Sequence, residues 1–96
     1  MKTTDHLVLT MRYFLTYRGV KLPLCLCEEL APDALTHRNT YFQAAYDQAG
    51  RLLWLEQRVY GEVALRHDYR YNSQGGLCAA TISVPDEEPN ELVFAP

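Results

Sequence analysis

Cys25 and Cys27 stand two positions apart, with Leu26 between them. In an extended strand, alternate side chains share a face, so these thiols point the same way about 7 Å apart. Two sulfurs can seat part of a metal site, but structural zinc takes four ligands. The other soft donors considered, His6, His37 and Cys78, are scattered along the chain. No metal and no other cofactor is therefore expected. Cys25 is expected to fall opposite Arg12, a neighbour of the kind that makes a thiol reactive, so Cys25 and Cys27 are reactive-thiol candidates for a sensor role.

A second group is Trp54, His67, Tyr69 and Cys78. Turn-based register places His67 in an apolar row between Trp54 and Ala80, with Tyr69 and Cys78 diagonal to it. A histidine beside a cysteine can form a nucleophile, and the four side chains are pocket candidates for a small ligand or an enzyme site. The third, orienting group of such a site is missing, because Glu56 falls about two rows away. Glu56, Glu62 and Asp68 lie on different rows and faces, so no carboxylate pair forms. Phosphate-binding glycine patterns, a nucleophile elbow and a metalloprotease motif are all absent. No catalytic residue is expected, and the chain does not read as an enzyme.

The elements that must position these residues follow from composition and period. The chain has 96 residues, 48% of them apolar and 22% charged, with a net charge of −3. That is one folded domain, without the basic stripe that nucleic acid requires and without a membrane-spanning run. The seven tyrosines offer stacking surfaces, but without a basic groove they make no nucleic-acid platform.

The dominant period is two. Val20, Leu22, Leu24 and Leu26 alternate with Lys21, Pro23, Cys25 and Cys27; Val63, Leu65, His67, Tyr69 and Tyr71 alternate with polar neighbours. One short helix or 3₁₀ turn is expected over residues 32–37. Arg18-Gly19 and Tyr60-Gly61 read as two-residue hairpin turns, and residues 47–50 and 72–75 as four-residue loops. The fold class is all-β: six antiparallel strands, arranged as a hairpin and a four-strand meander packed into a roll or half-barrel. Pro23 marks the hairpin's second strand as an edge. Residues 11–84 form the domain, 1–10 an extension and 85–96 a mobile tail.

The register places Tyr41, Ala45, Leu52, Trp54, Val63, Leu65, His67, Tyr69, Cys78, Ala80, Ile82 and Val84 on the inner face. Phe42, Leu53, Leu55 and Val59 fall on the reverse face with Ala44; either the short helix or the C-terminal Leu92-Val93-Phe94 covers them, or they are interface candidates, since contiguous exposed apolar surface marks an association site.

Tyr46-Asp47-x-x-Gly50-x-Leu52 repeats as Tyr71-Asn72-x-x-Gly75-x-Leu77. The motif resembles the tyrosine–aspartate repeats of Rhs-type and teneurin shells. Two copies cannot close such a shell, and the same pattern describes a generic hairpin. The segment from Arg12 to Leu24, with residues 39–42 and 59–63, is similar to a small bacterial family of uncharacterised proteins. That resemblance spans most of residues 11–84 and implies no activity and no site.

The functional expectation is a cytoplasmic interaction or accessory module that docks on a protein partner or on a second copy, with no nucleic acid or membrane involved. Three cysteines, an odd number, and the absence of a leader-like apolar run set that compartment. The alternatives are the pocket near His67, Tyr69 and Cys78, and the thiol sensor.

Overall fold

Alternation of apolar and polar residues makes strands of about half of the chain. The computed structural model describes residues 9–94. Its strands are β1 (Thr10–Arg18), β2 (Cys25–Leu30), β3 (Thr40–Tyr46), β4 (Leu52–Val59), β5 (Glu62–Tyr71), β6 (Leu77–Ser83) and β7 (Asn90–Val93), with a 3₁₀ helix over Pro32–His37. They form one seven-stranded antiparallel sheet in the order β2-β1-β3-β4-β5-β6-β7. The expected meander is β3–β6, and the fold is all-β. The hairpin does not stack on the meander as a separate layer; β1 pairs with the free edge of β3.

The repeat is one loop built twice. Asp47 accepts from the N–H groups of Ala49 and Arg51, and Asn72 accepts from those of Gln74 and Gly76. Gly50 and Gly75 occupy the left-handed region at φ 84° and 86°, which glycine enters without strain. Each loop spans five residues rather than four, closed by Tyr46 opposite Leu52 and by Tyr71 opposite Leu77. Each is followed by a one-residue bulge, at Leu53 and at Cys78. Asn72 makes with an amide the two loop bonds that Asp47 makes with a carboxylate, but Asp47 also holds the Arg51 Nε at 2.8 Å. Asp47→Asn should therefore keep the loop and lose only that exposed ion pair, a small drop in the urea midpoint. Asn72→Ala, which orphans two loop N–H groups, should cost about 1–2 kcal/mol by the same measurement.

Tyr60-Gly61 is the expected tight turn, with φ 50° and 81°. Two residues in, however, β5 carries an extra residue: Arg58 pairs with Val63, but Gln57 pairs with Leu65, leaving Ala64 out. This bulge turns β3–β4 over relative to β5–β6. His67 therefore sits opposite Leu55 and Ile82, not between Trp54 and Ala80. Phe42, Ala44 and Leu55 share the face of His67 and Tyr69, and the expected inner set of Tyr41, Ala45, Trp54 and Val63 lies on the other.

Phe14, Phe42, Ala44, Leu52, Leu55, Tyr69 and Ala80 form the core. Pairing of β2 with β1 lapses at Glu28, whose φ is 62°. Beyond that point the end of the hairpin comes over the core face. The Tyr17 ring packs edge-on to Phe42 at 5.6 Å, and Leu22, Leu24 and Leu26 pack on the core. The expected contact between hairpin and meander exists, but only at this tip.

Three further expectations are corrected. Arg18-Gly19 is not a two-residue turn, because β2 starts at Cys25 and residues 19–24 form a loop containing Pro23. β2 is nevertheless an edge. Arg18, not Arg12, faces Cys25, while Arg12 is held by Glu29 at 2.6 Å. The tail is no free tail: β7 pairs with β6, and Phe94 packs on the core. The sheet thus runs from Thr10 to Val93 rather than over residues 11–84. Residues 1–8 of the expected extension, and His6 among them, lie outside the described residues.

Candidate functional site

The pocket candidates separate in part. His67 and Tyr69, two residues apart on β5, share the core face and are 6% and 4% exposed. Tyr69 Oη accepts from the Leu24 N–H at 3.3 Å and lies 2.6 Å from His67 Nδ1. The phenol oxygen can accept from the Leu24 N–H and either donate to Nδ1 or accept from an Nδ1–H, according to the imidazole tautomer. Burial pushes Tyr69 up to about 12, and burial also holds His67 below its ordinary value, against the opposing field of Asp68. The pair is thus a neutral, buried clip between β5 and the 19–24 loop.

Trp54 belongs elsewhere, on the opposite face, with the Arg66 guanidinium 4.4 Å above its ring centre. Cys78 is the bulge residue of β6 and lines, together with Tyr69, Leu53 and Arg70, an open concavity of about 620 Å³, so Tyr69 and Cys78 of the expected set do share a cavity. No His–Cys pair is formed by His67 and Cys78.

The opposite, open face carries the charge. Its central rows are Met11, Ala45, Trp54, Asp68, Thr81 and Glu91, then Tyr13, Gln43, Glu56, Arg66 and Ser83. Glu56 is only 7% exposed. It accepts from Arg58 Nη2 at 2.9 Å, Arg66 Nη1 at 2.6 Å and Gln43 Nε2 at 3.4 Å. Arg66 also grips Asp68, and Arg70 reaches Glu91 and Thr81. Arg58, Arg66 and Arg70 thereby balance Glu56, Asp68 and Glu91, leaving the face neutral. Hydrogen bonds to Asp68 and Glu56, the first the larger, raise Arg66 against the lowering effect of its burial. Alternation alone leaves the charged residues of β5 as polar neighbours of its apolar row and does not reveal Glu56 as the acceptor shared by Arg58 and Arg66. The signal was present: Glu56 and Arg58 alternate on one strand as Arg66 and Asp68 do on the next.

Among the interface candidates, Phe42 and Leu55 are corrected: at 4% and 0% exposure they are core, not outward surface. Leu53 stands at its bulge, half-buried, beside Arg70 and Cys78. Val59 is half-buried at the end of β4, next to the turn.

Cys25 is exposed; Cys27 and Cys78 are half-buried, and all three are free. Cys27 Sγ donates to the Cys25 carbonyl at 3.3 Å. Arg18 is raised by its neighbours Cys25 and Cys27, the Cys25 hydrogen bond first. Iodoacetamide should therefore label Cys25 first in the native protein, with Cys27 and Cys78 behind it, as peptide mass mapping of a time course would show. Among the described residues, no three His, Cys, Asp or Glu side chains converge as a metal site. Nor is any described helix long and apolar enough to cross a membrane.

Comparison with curated proteins and with solved structures finds no match. The twin loops explain the tyrosine–aspartate motif as hairpin geometry, and no finding ties it to the Rhs-type shells. A family model does match residues 6–96, nearly the whole chain, and the protein accordingly belongs to DUF6156, a family of unknown function.

Proposed function

We propose that the protein is a non-catalytic docking module whose open sheet face is covered by a second protein layer, in the first instance a second copy of this chain. The observation that supports this is the single layer. Among the described residues, strands pack on their neighbours within the sheet and on no second sheet. Domains ordinarily close a sheet between two layers. Here the core face is capped by the hairpin tip and Phe94, while the face bearing Met11, Tyr13, Trp54 and Leu53 has no cover.

Area and charge both suit a second copy. Seven strands about 4.8 Å apart and about 24 Å long present roughly 800 Å². That is the contribution of each partner to a standard interface of about 1,600 Å². Three arginines against three carboxylates make the face neutral, so two copies meet without net repulsion. Edge-to-edge growth is blunted instead: Pro89 precedes the short β7, and left-handed Glu28 interrupts β2. The partner is protein rather than nucleic acid, given the net charge of −3. A reducing, cytoplasmic compartment belongs to the same proposal, because it keeps three free thiols reduced.

Sedimentation equilibrium of the wild type and of Leu53→Asp tests this. The wild type should pass from monomer to dimer with concentration. Leu53→Asp should keep its circular dichroism and weaken the dimer by about a hundredfold, since a carboxylate would be desolvated against its own copy. A wild type that stays monomeric at every concentration would reject the second copy as occupant; an unchanged dimer in the variant would reject this face.

A further inference from the structure

We propose that the outer end of the β1–β2 hairpin is a flap released by acid, with His67 as its latch. The flap runs from Tyr17 to Leu26: its two strands stay paired at Tyr17–Leu26 and Arg18–Cys25, but β1 pairs with β3 only as far as Phe14, and the β1–β2 pairing skips left-handed Glu28. It covers the core with Tyr17, Leu22, Leu24 and Leu26. Its hydrogen bond to the face it covers runs from the Leu24 N–H to Tyr69 Oη, and from Tyr69 on to His67 Nδ1.

The direction of that chain makes it a switch. Leu24 can only donate, so the Tyr69 oxygen accepts from it, and the latch uses the His67 tautomer with a bare Nδ1 that takes the hydroxyl proton. Protonation places an N–H on Nδ1, and two donors then face each other at 2.6 Å. The hydroxyl must turn away into an apolar interior, or Tyr69 must move and drop Leu24. Either way, opening the flap becomes favourable relative to holding a charged, buried imidazole.

Little else near the ring competes for this role. The residues opposite it on β4 and β6 are Leu55 and Ile82, which do not titrate. Tyr69, the titratable group in contact, is pushed up to about 12 and stays neutral. Asp68 is on the other face, bound to Arg66, and its field only moderates the effect of burial. The flap's own ionisable groups are Tyr17, Arg18, Lys21 and Cys25, with Cys27 just beyond it, and none is hydrogen-bonded to the ring. Because the folded value of His67 lies below the unfolded one of about 6.5, its contribution is complete above that pH. It is lost as pH falls through the folded value. Between about 6.5 and that folded value the opening constant rises by up to about tenfold per pH unit, and below the folded value, with both states protonated, it levels off.

The test is amide hydrogen exchange between pH 7.5 and 5, corrected for intrinsic rates, alongside the imidazole titration by NMR. Protection of the Leu24 amide, which is bonded to Tyr69, should fall with the midpoint of His67 while the amides of β4 and β5 stay protected. His67→Asn keeps an acceptor for Tyr69 but cannot titrate, so its flap should remain closed at pH 5. Tyr69→Phe should loosen the flap at both pH values and abolish the pH dependence. Acid opening in His67→Asn with an unchanged midpoint would overturn the proposal. So would His67 titrating with no change in the flap, or loss of protection across all strands at once.

Discussion

Leu55→Ala is expected to remove about 4 kcal/mol of stability, within the range of 2–5 for a buried leucine in a rigid core. Leu55 is fully buried, the largest side chain of which that is true among the described residues. It touches a core that includes two alanines, so its volume is not easily refilled by neighbours. For a small domain holding roughly 5–10 kcal/mol, that loss removes much of the margin. The neighbouring Leu53→Ala, at a half-buried bulge, should cost about 1 kcal/mol or less. Urea unfolding of the two variants reads the difference directly. Equal losses would mean that β4 is turned over.

Glu56→Ala carries the second-largest expected effect, a loss of about 2–4 kcal/mol. Its carboxylate is buried beneath Arg58 and Arg66, whose side chains are 28% and 34% exposed. Removing it leaves two guanidinium groups facing each other without their shared acceptor. Breaking a buried pair costs about 3–5 kcal/mol, and the partial exposure of both arginines discounts that figure. Glu56→Gln should lose less, because one carbonyl oxygen still accepts. The salt dependence of unfolding separates the readings: the Glu56→Ala deficit should shrink in 1 M sodium chloride as the two cations are screened. A deficit independent of salt would mean that lost packing, not charge, is what the substitution removes.

The fold class, the meander, the 3₁₀ turn and the repeat were legible in the chain because each rests on local chemistry. Alternation sets strands, and glycine and Asx residues set loops. Faces were legible only in part, for a specific reason. Both five-residue loops carry a bulge beside them, so their register moves by two residues and every side chain keeps its face. The Tyr60-Gly61 hairpin has a single bulge, and its register moves by one. Ala64 causes that inversion, and nothing in Glu62-Val63-Ala64-Leu65 announces it. Phe42 and Leu55 were consequently placed outside, and Trp54 inside.

The latch was half legible. The depression of His67 by burial follows from its place in an apolar row of β5, whichever strand lies opposite. Leu24 as third member was not legible, because Val20, Leu22, Leu24 and Leu26 read as one alternating strand. Bringing the loop back over the sheet depends on left-handed Glu28, a conformation that a glutamate does not advertise. The neutral open face was hidden by the same inversion that moved Trp54.

Hydroxyl-radical footprinting across a concentration series tests the docking face most directly. Met11, Tyr13 and Trp54 should lose reactivity as the dimer forms, while Tyr60, 76% exposed at the turn, stays constant as an internal reference. Unchanged labelling of Met11, Tyr13 and Trp54 at all concentrations, or protection appearing at Tyr60 in their place, would contradict the account.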